Sequence, residues 1–143
     1  MKLRHGRLIV QQQAIDAAGL LNMLEDPKNK DLDELAASPD ALKVEHVGAD
    51  QARRLQQIVR SGPPESRRLA VRTLARMRRL EYVPSLLYAM TDPDKRVVRE
   101  ARDGLRFVSR RFDGFGLKDN FTDRERYDAL DKWKRWYRSV QTE

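Results

Sequence analysis

"DPDKRVVREARDGLRF", residues 92–107, sets both its apolar residues and its arginines at helical spacing. Val97, Ala101, Gly104, Leu105 and, beyond the stretch, Val108 fall on one face at 3.6 residues per turn. Asp92 reads as an N-cap and Pro93 as the first helical residue, where a missing N–H costs nothing. Upstream, Pro84 suits the first turn of a helix carrying Leu86, Leu87 and Met90. The expected unit over residues 82–111 is therefore helix, tight turn, helix.

The same unit occurs earlier. Shifting the chain by 31 residues lays Leu55 over Leu86, Arg68 over Arg99, Ala70 over Ala101 and Leu74 over Leu105. Val59 then meets Met90, Met77 meets Val108, and the Ser61-Gly62-Pro63-Pro64 turn meets Asp92-Pro93-Asp94-Lys95. In this first unit, residues 50–79, the inward positions are Ser66, Ala70, Thr73, Leu74 and Met77.

"DPDKRVVREARDGL" resembles the second helix of a HEAT repeat of the short type. Val97, Arg99, Ala101 and Leu105 stand at its signature positions, while Glu100 and Gly104 depart where Ala is usual. The first unit departs further, with Ser66 at the Val position and Gly62-Pro63 in place of Asp-Pro. Residues 8–25 are a candidate partial repeat, with Ala14, Ala17, Ala18 and Leu21 turned inward. The resemblance implies an all-α fold: an α-solenoid of HEAT-like helical hairpins, wound as a right-handed stack and closed by a C-terminal capping helix.

The rest of the chain is read around these units as one helical-repeat domain, residues 1–143. Residues 26–49 are broken by Pro27, Pro39 and Gly48 and read as a connection with one or two short helices, "LDELAAS" and "PDALKVEHV". Gly114 and Gly116 are expected as left-handed stops for the second unit. Thr122 with Glu125 forms a capping box that opens a last helix, 122–140, with a stripe of Tyr127, Leu130, Trp133, Tyr137 and Val140. A solenoid needs its open end covered, and a bulky aromatic helix suits that role. The ending also resembles that of HEAT arrays in larger bacterial proteins, so a terminal module of a longer multidomain protein is one expectation.

Composition narrows the function classes. The 143 residues carry net charge +7, no Cys, 36% charged residues and 40% apolar ones. Disulfide and thiolate chemistry is excluded. No apolar run approaches the roughly 20 residues of a membrane span, so no membrane partner is expected and the reading is cytoplasmic. Residues 51–111 hold 16 basic and 6 acidic side chains, against 3 and 7 in residues 26–50 and 7 and 7 in residues 112–143. A localised basic surface follows.

Helix periodicity places that surface. Arg99, Arg102, Arg106 and Arg110 fall within about 40° of the side opposite Val97 and Val108, and Arg68, Arg72, Arg76 and Arg79 make a similar row in the first unit. The resemblance sets such rows side by side on a concave surface. They suit an acidic protein or peptide segment, through bidentate guanidinium pairs, or nucleic-acid phosphates. A solvated helix face is the third alternative. Aromatic side chains do not interleave with this face, as stacking on single strands would want. Trp133, Trp136 and Tyr137, beside Lys134 and Arg135, are residue types that stack on bases or cage a cation. Their spacing fits a core-facing stripe, with Trp136 at its edge as a candidate interface aromatic.

Nothing in the chain spells out a reaction. His5 and His46 have no nucleophile or carboxylate arranged around them, and "DLDEL" lacks the spacing and glycine of a calcium loop. No cofactor or metal site and no catalytic residue is expected. The expected function is a non-catalytic protein–protein interaction scaffold presenting an arginine-rich face to an acidic partner. The alternatives are a HEAT-like nucleic-acid-binding protein and, less favoured, a HEAT-like enzyme of the DNA glycosylase or bilin lyase type, for which no residue carries over.

Overall fold

A computed structural model describes residues 17–26 and 47–141. All regular structure among them is helical: α1 (Ala17–Glu25), α2 (Ala49–Ser61), α3 (Pro64–Arg76), a 3-10 turn (Leu80–Tyr82), α4 (Val83–Ala89), α5 (Lys95–Ser109) and α6 (Asp123–Gln141). They form two compact units that divide between Thr73 and Leu74. The expected short helices of residues 26–49 lie outside the described residues, as does Ala14.

In the first unit α1 packs on α2. Leu20, Leu21 and Leu24 of α1 and Ala52, Leu55, Ile58 and Val59 of α2 are buried, and each large aliphatic side chain so removed from water contributes roughly 1.5–3 kcal/mol. Ala18, expected inward, is exposed instead, because the leucines take that face. Ser66 explains its own departure from the repeat pattern. Its buried hydroxyl donates to the Leu24 carbonyl at 2.7 Å, meeting an acceptor that the end of α1 leaves without a helical partner.

In the second unit α4 packs against both α5 and α6. Pro84 sits in the first turn of α4 as expected. The cap of α5 lies two residues later than the sequence suggests. The Asp94 carboxylate accepts the Arg96 N–H at 2.9 Å, and Asp92 accepts the Asp94 N–H at 2.9 Å. Asp92 thus closes an Asx turn around Pro93 and hands the capping role to Asp94. At its other end α5 stops before the glycines, with Arg110 in the left-handed region at φ 61°. Gly114 (φ 58°) and Gly116 (φ 76°) serve two later turns.

Gly104 faces the end of α3. A methyl group there would lie 2.8 Å from the Ala75 Cβ, so the missing side chain is what lets the backbones approach. Beyond it, the Arg78 guanidinium lies 3.8 Å from the centroid of Phe107. Both contacts bring the end of α3 and the turn after it against α5.

The capping box of α6 is present: the Glu125 N–H donates to Thr122 Oγ1 at 3.1 Å, and Glu125 accepts the Thr122 N–H at 2.8 Å. That backbone hydrogen bond outweighs partial burial and holds the Glu125 carboxyl below its ordinary value. The buried stripe is Arg126, Ala129, Leu130 and Trp133, while Tyr127 is exposed. Arg126 turns the helix away from the expected register. Its guanidinium donates to the Asp92 carbonyl at 2.8 Å and to Asp123 at 2.6 Å, which makes it a polar tie between α6 and the turn before α5.

Candidate functional site

Arg68 and Arg72 lie in the first unit, and the other six predicted arginines lie in the second. Arg68 is half-buried and paired with Glu65 at 3.0 Å. Arg72 is half-buried too. Arg76 and Arg79 are exposed, and Arg79 pairs with Glu81. On α5, Arg99 is half-buried and Arg110 is exposed.

Arg102 and Arg106 correct the expectation of a uniform exposed row. Arg102 is only 7% exposed. It donates to Asp103 at 2.9 Å, to Asp119 at 2.6 Å and to the Leu117 carbonyl at 3.3 Å. Arg106 donates to the same carbonyl at 3.1 Å and lies across Gly114, where a Cβ would come within 2.5 Å of its Nε. The outer face of α5 is therefore a platform on which residues 113–119 fold. Burial alone would lower the Arg102 pKa, but its hydrogen bonds to Asp103 and Asp119 raise it. The same hydrogen bond, with the nearby guanidinium charge, holds the Asp119 carboxyl below its usual range.

A second cationic region forms where the sequence average is neutral. Lys132, Arg135, Trp136 and Ser139 follow the i, i+3, i+4, i+7 rule on one face of α6, and with Arg111 and Phe115 they line an open groove of about 310 Å³. Trp136 is half-buried and meets the buried Trp133 edge-on, with centroids 5.6 Å apart. Phe115 meets Trp133 edge-on from the loop side at 4.7 Å, and the Arg111 guanidinium lies 5.6 Å from the Phe115 centroid. Buried Trp133 thus fixes both rings of the groove. No carboxylate lines it. Among the described residues Arg111, Lys132 and Arg135 enter no ion pair. Beyond Lys132 a smaller hollow carries Glu125 and Asp128, so the cationic character ends there.

Of the predicted residues, Trp136 lines this groove and none of the eight arginines does. Arg111, Phe115, Lys132 and Ser139 were missed. The run "KWKRWYR" (132–138), with four cations and no acid, held the available signal, and counting charge over residues 112–143 averaged it away.

Among the described residues no cluster of His, Asp and Glu could hold a metal ion, and no helix is long and apolar enough to cross a membrane. His5 and His46 lie outside the described residues. No family model, curated protein or solved structure matches the chain.

Proposed function

We propose that the chain is a non-catalytic interaction module of HEAT-like helical hairpins that holds an acidic protein segment on arginines of its second unit. The supporting observation is the close approach of the end of α3 to α5, through the Ala75–Gly104 and Arg78–Phe107 contacts. At the C-terminal ends of those segments Arg76, Arg79 and Arg110 are exposed. Guanidinium groups on a fixed scaffold suit bidentate pairing with carboxylates. The binding surface is narrower than eight arginines, since Arg102 and Arg106 spend their hydrogen bonds on the following loop.

The test is titration of a labelled glutamate-rich peptide into the protein and into an Arg79→Glu/Arg110→Glu variant. Binding that drops at least about tenfold in the variant, with unchanged helicity, supports the reading, since charge reversal at a contact costs several kcal/mol. Equal binding by both proteins, or none by either, would remove it.

A further inference from the structure

The groove on α6 differs in kind from the arginine ends of α3 and α5, because it sets aromatic rings among its cations. We propose that this groove binds single-stranded nucleic acid, with one base stacked on Trp136 and the neighbouring phosphates on Arg111, Lys132 and Arg135. A fitting occupant must engage both the cations and the Trp136 ring. An acidic peptide would satisfy the three cations and leave the Trp136 ring without a role. An apolar peptide would cover the rings and strip water from three charges that have no counter-ion in the groove. A duplex presents phosphates but hides its base faces. A single strand alternates phosphate and base, and so meets both kinds of side chain.

The dimensions agree. A volume of about 310 Å³ lies at the lower end of ligand clefts, which run roughly 300–1,000 Å³. The groove therefore takes one base with its flanking phosphates, and the strand leaves over its open sides. The hollow with Glu125 and Asp128 lies on the far side of Lys132 and repels phosphate, which directs the strand away from the start of α6. Trp136 is a fixed platform, since the buried Trp133 holds its ring edge-on. Stacking needs no particular base, so the expected binding is tolerant of sequence.

This inference stands apart from the acidic-protein reading, because the groove contains none of Arg76, Arg79 or Arg110. The experiment is fluorescence anisotropy of the full chain with labelled oligothymidylate and oligouridylate, a duplex of equal length, and polyglutamate as competitor. Both single strands are expected to bind more tightly than the duplex. Three phosphate contacts give a slope of log K against log salt of about −2, from roughly −0.7 per contact on single strands. Trp136→Ala should weaken binding about tenfold or more, and Trp136→Phe should retain most of it. Lys132→Glu with Arg135→Glu should abolish it, while Arg79→Glu/Arg110→Glu leaves it unchanged. Binding should also quench tryptophan emission in the native chain and not in Trp136→Phe, a readout that survives if the alanine variant folds poorly.

Absent binding at low salt overturns the proposal, as does a duplex bound equally well. Polyglutamate binding that depends on Lys132 and Arg135 but ignores Trp136 would also overturn it and assign the groove to an acidic peptide.

Discussion

Arg102 on α5 and Arg135 on α6 stand on helices of one charge-rich chain, yet their surroundings divide them. Arg102 is buried, and its guanidinium reaches two carboxylates and a carbonyl. Arg135 is exposed on the wall of a groove that no carboxylate lines. A loop lies on the outer face of α5, and Arg102 and Arg106 are the hydrogen-bond donors that hold it. Between Arg111, Phe115 and α6 the fold instead leaves an open groove. The difference teaches that density of arginine does not mark a binding surface. What marks it is charge that the fold leaves uncompensated.

The largest expected effect follows from the compensated side. Arg102→Ala should cost about 2–3 kcal/mol, the scale of losing charge-assisted hydrogen bonds together with packing of a buried stem. The cost stays below that of breaking a fully buried ion pair, since Asp119 is 79% exposed and is rehydrated when its partner goes. Urea unfolding would read it. A loss of a few tenths of a kcal/mol would mean that α5 carries a second open cationic surface and that the comparison fails. The same contact predicts a pH dependence. The Asp119 and Glu125 carboxyls are held below their ordinary values of 3.8 and 4.5, so the folded state resists protonation that the unfolded chain accepts. Their contribution is present in full above those ordinary values and is lost as pH falls through the depressed ones. The urea midpoint should therefore drop on acidification below about pH 4.5, and less steeply in Asp119→Asn.

The inner face of α5 gives the next effect. Gly104→Ala would bring a methyl group to 2.8 Å from the Ala75 Cβ. Overpacking costs about 1–3 kcal/mol, and the better helix propensity of alanine returns about 1. A net loss of up to about 2 kcal/mol is expected, and Ala75→Gly in the same chain should recover part of it. A stabilised Gly104→Ala would show that α3 and α5 do not meet closely there. On α6, Thr122→Ala removes one half of the capping box and should cost about 1 kcal/mol. Thermal melting would read it, with less helix near residue 122 in amide exchange.

These contrasts also show how far the sequence could be read. Apolar periodicity placed the helices α2, α3, α4 and α5, and the Thr122–Glu125 pair marked the start of α6, because such signals are local. Register depended on contacts distant in sequence. Nothing near Arg126 tells that it will bury its guanidinium on the Asp92 carbonyl, and so Tyr127 was expected inward. The arginine row failed for the same reason. Helical spacing puts Arg102 opposite the core, but it cannot say that residues 113–119 return to cover it. The groove went unseen because its two walls, Arg111–Phe115 and α6, meet only in the fold.

The smallest expected effect is the one that best separates the two regions. Lys132→Ala and Arg135→Ala remove exposed side chains that enter no ion pair among the described residues. Each should change stability by less than about 0.5 kcal/mol, as substitutions away from buried or paired groups do. Helix propensity pulls slightly the other way, since alanine is the better helix former. Their urea midpoints should therefore match or slightly exceed that of the parent chain. Set beside Arg102→Ala in one unfolding series, this gives a paired readout with opposite expectations for side chains of equal charge. If Arg135→Ala cost as much as Arg102→Ala, the groove cations would be structural, held by a partner within the chain. If they cost nothing, the protein is holding like charges together in one groove against their mutual repulsion. The repulsion alone has nothing to recommend it to the fold, and a polyanion seated in the groove would relieve it.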